Sequence, residues 1–85
     1  MKRVQLFYLE YCPHCKRAKS YLDELFQNEK YKDISIEWIE ESKESAVANQ
    51  YDYYYVPCFY VDGKKVKEGA LSFEDVKEVL ELAGE

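Results

Sequence analysis

"RVQLFYLEYCPHCKRA", residues 3–18, runs from an almost unbroken apolar stretch into two cysteines separated by a proline and the chain's only histidine. Residues 3–9 suit a central strand covered on both faces, because such strands lose the in–out alternation of half-exposed ones. Pro13 marks the first position of a helix, where its fixed φ helps and its missing N–H costs nothing. Cys12 then becomes the N-cap. Ala18, Leu22, Leu25 and Phe26 continue at helical spacing and give that helix one apolar stripe. A buried strand feeding a helix is the first half of a right-handed parallel crossover, so the fold class is α/β.

The remaining elements follow outward from this unit. "ISIEWI" (34–39) reads as the second strand and "SKESAVANQY" (42–51) as a short, weaker helix. "YVPCFYV" (55–61) is an apolar strand broken near its start by Pro57. Asp62-Gly63 between two extended runs is a two-residue hairpin turn. The lysine-rich "KKVKE" (64–68) suits an edge strand that resists pairing with other chains. Gly69 ends it. Ser72 caps a last helix, with Asp75 three residues on as a capping box and Phe73, Val76, Val79 and Leu80 as its buried face. The expected order is βαβαββα, one domain over residues 1–85. Its four-stranded mixed sheet has the first two strands parallel, the last two antiparallel, and three helices spread over both faces.

Composition narrows the function classes. At 47% hydrophobic and 34% charged residues, the chain is globular rather than disordered. A formal charge of −5 argues against a nucleic-acid partner, since phosphate backbones demand clustered Lys and Arg. No apolar run approaches the roughly 20 residues needed to cross a bilayer. The basic and apolar start, "MKRVQLFYLEYCP", is interrupted by Gln5 and lacks a small-residue cleavage site, so a cytoplasmic protein is expected. Three cysteines are too few, and odd in number, for a disulfide scaffold. In a reducing compartment a close pair is redox-active or metal-binding.

The helix start supplies the chemistry. Free N–H groups and the positive dipole end converge on the Cys12 sulfur, which favours its thiolate, the form that attacks disulfides. Cys15 shares the core-facing stripe with Ala18 and Leu22, and burial there keeps it a thiol. His14 either stabilises the Cys12 thiolate as an imidazolium or is a solvated first-turn side chain. A static Cys12–Cys15 disulfide would close a loop of four residues and constrain the unfolded chain little. Cys12, His14, Cys15 and Cys58 also make up a Cys₃His set, which keeps a metal site open. Cys58 itself reads first as a small buried hydrophobe and second as an auxiliary redox thiol. "YDYYY" (51–55) is either an aromatic rim, with Tyr53 or Tyr55 near the site, or a cover for the sheet end.

Cys12-Pro-His-Cys15 after a first strand, Val56-Pro57 opening a third, and Gly69 before a last helix resemble the glutaredoxins of the thioredoxin superfamily, over nearly the whole chain. The resemblance implies a cis Val56-Pro57 bond, with Pro57 against the cysteine pair and the Val56 backbone free to pair with an extended substrate. It also implies a substrate-contacting set of Tyr11, Tyr55, Val56, Pro57, Gly69 and Ala70. Two departures stand out. Leu9 occupies the place of a family lysine that meets a glutathione carboxylate, and Gly69-Ala70 with Phe73 replaces a Gly-Gly turn and its aspartate. The tetrapeptide is that of strongly oxidising periplasmic enzymes, whose inserted helical domain has no room here. The implied activity is dithiol thiol–disulfide exchange on protein disulfides, with Cys12 as nucleophile, Cys15 as resolving thiol, and Pro13 and His14 tuning the pair. No bound cofactor or metal is expected. Electrons would come from glutathione or from a flavin-dependent, thioredoxin-reductase-type donor, and the protein is expected to be a monomer. The alternatives are a metal or iron–sulfur carrier and a redox-regulated binding module without turnover.

Overall fold

A computed structural model describes residues 2–85. The apolar first segment forms β1 (Val4–Tyr8), and α1 (Pro13–Leu25) returns the chain so that β2 (Ile36–Glu40) pairs parallel to it. A single turn, α2 (Ser45–Ala48), precedes the hairpin of β3 (Cys58–Val61) and β4 (Lys64–Glu68), and α3 (Phe73–Ala83) closes the fold. The sheet order is β2-β1-β3-β4, with β3 antiparallel to both neighbours. The lysine-rich segment is therefore an edge, as its composition implies. A 3-10 turn at Glu29–Tyr31 joins α1 to β2.

Strand alternation divides β1 between two cores. Val4 and Leu6 meet Ala18, Leu22 and Leu25 of α1 and Val76, Val79 and Leu80 of α3 on one face. Phe7 lies on the other, with Ile39, Ala48, Cys58 and Tyr60. Gln5 shares this second face; its buried amide donates to the Tyr51 hydroxyl at 2.9 Å, which removes the cost of a lone polar group. The helices thus cover both faces: α1 and α3 one, α2 the other.

Local signals hold where they are chemically specific. Ser72 accepts from the Asp75 amide at 3.1 Å while the Asp75 carboxylate accepts from the Ser72 amide at 3.0 Å, the reciprocal capping box. Asp62 and Gly63 both have positive φ, 50° and 82°, as a two-residue hairpin turn requires. A bulge between Phe59 and Tyr60 shifts the β3–β4 register.

The central boundaries differ from expectation. β2 begins at Ile36 rather than residue 34, and the helix expected over 42–51 shrinks to one turn. Its N-cap, Glu44, makes no side-chain cap bond, and at the far end Tyr51 is drawn away to stack on Phe7 at 4.8 Å and on Tyr60 at 5.1 Å. The strand expected from residue 55 begins at Cys58. Pro57 has no N–H to give, and the amides of Tyr54 and Tyr55 donate instead to the Glu68 carboxylate at 2.9 and 3.2 Å. Among the described residues no helix is long and apolar enough to cross a membrane.

Candidate active site

β1 delivers the chain to a turn in which the Cys12 amide donates to the Leu9 carbonyl at 3.2 Å. Cys12 is the N-cap of α1, extended at φ −76° and ψ 125°, and Pro13 occupies the first helical position. The Cys12 side chain is half-buried, while Pro13 and His14 beside it are exposed. Burial works against ionising the Cys12 sulfur. Hydrogen bonds from the Cys15 amide, the Cys15 thiol and the His14 amide outweigh it and leave the Cys12 pKa below the ordinary thiol value.

Cys15 sits one turn further, 5% exposed, on the stripe it shares with Ala18 and Leu22. Burial is the main force on it, and the nearby Cys12 and Glu41 push in the same direction. The Leu9 amide opposes them, donating to the Cys15 sulfur at 3.5 Å, yet the pKa is pushed up to about 12. One sulfur of the pair is thus prepared as a thiolate and the other held as a thiol.

The Val56–Pro57 peptide bond is cis, and Pro57 is buried. Gly69 donates its amide to the Pro57 carbonyl at 2.9 Å and has φ +90°, a backbone conformation that favours glycine. A groove of about 660 Å³ at Cys12 is lined by Leu9, Glu10, Tyr11, Glu40 and Lys43. A neighbouring groove of about 490 Å³ shares Leu9 and is lined by Tyr53, Tyr54, Tyr55 and Val56. The structure therefore brings Tyr11 to Cys12 and places Tyr55 and Val56 one groove away. Pro57, Gly69 and Ala70 line neither groove; Gly69 is tied to Pro57, and Ala70 is exposed beside it.

The tyrosines divide their work. Tyr51 and Tyr53 stack on Phe7 at 4.8 and 5.0 Å, whereas Tyr54 and Tyr55 are 78% and 67% exposed. Tyr53 also reaches the site, donating its hydroxyl to Glu41 at 2.7 Å. Cys58 is fully buried on the face of the sheet away from α1, where burial pushes its thiol up to about 12. The possible Cys₃His donors are accordingly not gathered, and among the described residues no three His, Cys, Asp or Glu side chains are placed to hold a metal ion.

Four contributors escape sequence reasoning. The Leu9 amide on Cys15 is a backbone group with no residue-type signature. Glu41 and Glu68 look like ordinary surface acids, and only the fold aims one toward Cys15 and the other at the amides of residues 54 and 55. The buried Glu40 accepts from the amide and hydroxyl of Ser42, both at 2.7 Å, and ties down the groove wall.

The sequence model of the glutaredoxin family matches residues 4–66, three-quarters of the chain and both halves of the site. The chain belongs to the glutaredoxin family. This glutaredoxin's fold is also that of solved thioredoxins. It is similar to oxidised thioredoxin from Plasmodium falciparum (22% identity, 99% of this chain and 82% of that one, TM-score 0.74). It is similar as well to mitochondrial thioredoxin 3 from Saccharomyces cerevisiae (23% identity, 94% and 76%, TM-score 0.73). Thioredoxin from Malassezia sympodialis gives a TM-score of 0.78 at 13% identity, over 99% of this chain and 76% of that one. At such identities the likeness establishes the thioredoxin-like fold. No curated protein matches the sequence significantly. The family and its paired cysteines point to thiol–disulfide redox chemistry.

Proposed function

We propose that this glutaredoxin is a dithiol thiol–disulfide oxidoreductase acting on protein disulfides. The observation that carries the reading is the opposite preparation of two sulfurs three residues apart: Cys12 lowered by the helix-start amides, Cys15 pushed up to about 12 by burial. The Cys12 thiolate attacks a substrate disulfide, and the departing substrate sulfur takes up a proton. Cys15 then gives up its proton and attacks the Cys12 sulfur of the mixed disulfide. The substrate leaves with two electrons and two protons gained: both electrons come from the Cys12–Cys15 pair, one proton comes from Cys15 and the other from solvent.

Val56 lies outside the β3 ladder, so its backbone is available to an extended substrate, with Tyr11 and Tyr55 at the rims. The electron pair returns from glutathione or from a flavin-dependent, thioredoxin-reductase-type partner. Glu10 and Glu40 at the Cys12 groove, with Leu9 where a lysine would help, disfavour a tripeptide that presents a carboxylate at each end and support the reductase route. A reducing, cytoplasmic setting suits a pair that must be restored after each turnover.

Two variants test the mechanism. Cys12→Ser should abolish reduction of a protein disulfide. Cys15→Ser should instead accumulate a mixed disulfide at Cys12, detectable by intact mass. Undiminished turnover in Cys15→Ser would contradict the resolving role.

A further inference from the structure

The Cys12 groove does not end at the cysteine. Leu9, Glu10 and Lys43 line both it and a second groove of about 570 Å³ that continues between α1 and the β2 edge. Tyr8 and Trp38 are the aromatic residues of this second groove, their rings edge to face at 5.6 Å, and Trp38 is 39% exposed. Cys15, Lys16 and Lys19 of α1 line it, with Lys43 and Glu10 at the shared end. Lys43 is held by Glu10 at 3.3 Å, whereas among the described residues Lys16 and Lys19 make no ion pair. Three lysines against one glutamate leave a positive groove on a chain whose formal charge is −5.

An exposed tryptophan beside unpaired ammonium groups is a surface complementary to a segment with apolar and acidic side chains. The groove's continuity with Cys12 says what that segment belongs to. We propose that the groove is a specificity subsite that receives one arm of a disulfide-bearing protein substrate, an arm acidic a few residues from its cysteine. The proposal rests on thiol–disulfide exchange at Cys12 and names the substrate class for it. Geometry fixes the spacing. Lys19 lies seven residues along α1 from Cys12, about 10 Å at the helical rise, which an extended segment spans in about three residues. Acidic residues adjacent to the substrate cysteine would instead meet Glu10 and Glu40 in the Cys12 groove and be repelled.

The experiment compares kcat/KM for two peptide disulfides that differ only in carrying two Glu or two Lys residues, with one Leu, three to four residues from the reacting cysteine. The acidic peptide should be preferred by on the order of fivefold at low salt, from two solvent-exposed charge pairs. Raised ionic strength and the Lys16→Gln/Lys19→Gln double variant should each erase the preference. Equal rates, or a preference that survives the double variant, would overturn the subsite. A serine analogue of the acidic peptide isolates binding from exchange, because Trp38 is the only tryptophan and lies in the groove. Its emission should shift with the acidic analogue and not with the basic one. An equal shift with inorganic phosphate alone would make this a simple anion site and likewise overturn the substrate arm. Wild-type failure to reduce a small neutral disulfide, with the acidic analogue still shifting Trp38, would locate the error in the exchange reading and would remove the substrate assignment with it.

Discussion

The Cys12 sulfur and the Cys15 sulfur differ in environment far more than in sequence position. An N-cap side chain faces unpaired amides, while one turn later the same helix faces the core, so a three-residue step separates a stabilised anion from a desolvated thiol. This much is legible in the sequence because it depends on local helix geometry alone. The Leu9 amide on Cys15 and the carboxylate of Glu41 are not legible, since both reach the pair through a turn or a separate strand. His14 is exposed at the first helical turn, with its amide turned to Cys12. A positive imidazole there favours the thiolate and hence the reduced pair. His14→Tyr should therefore make the pair more reducing, measured as a more negative potential in equilibrium with a glutathione or dithiothreitol couple. An unchanged potential would leave His14 without a tuning role.

Elements with chemically explicit ends stand where the residues place them. Pro13 opens α1, Asp62-Gly63 closes the hairpin, and Ser72 with Asp75 caps α3. Elements without such ends shift, because their limits are set by distant partners. β3 starts late since Glu68, on the next strand, takes the amides of residues 54 and 55. α2 ends early as Tyr51 turns back to Phe7 and Gln5. In each case the partner lies outside the segment that it limits. The α3 cap is testable on its own terms. Ser72→Ala removes one acceptor and should cost about 1 kcal/mol, lowering the thermal midpoint by roughly 4–8 °C for a domain of this size. A midpoint within a degree of wild type would show that α3 is held by its packing against α1 and β3 alone.

At the scale of the whole molecule, two small cores clamp a sheet whose inner strands carry apolar residues on both faces. Two of the three thiols are enclosed by this packing and pushed up to about 12, Cys15 on the core-facing side of α1 and Cys58 under the opposite face of the sheet. In the unfolded chain both would ionise near 9.0. Between those values the unfolded chain has already released protons that the native chain still holds. Stability is then full below about pH 9 and falls as pH rises toward 12. The thermal midpoint of the reduced protein should decline through that window, and Cys58→Ala should make the decline shallower. A variant slope equal to that of wild type would mean that Cys58 ionises in the fold as freely as in solution.

The Cys12 thiolate carries the chemistry of the whole site. Its most direct measurement is the alkylation rate of reduced protein by iodoacetamide as a function of pH, with the modified residue located by mass. The rate at Cys12 should rise with a midpoint below that of a free cysteine, while Cys15 and Cys58 stay unmodified near neutrality. A Cys12 midpoint at or above the free-cysteine value would contradict the site as described.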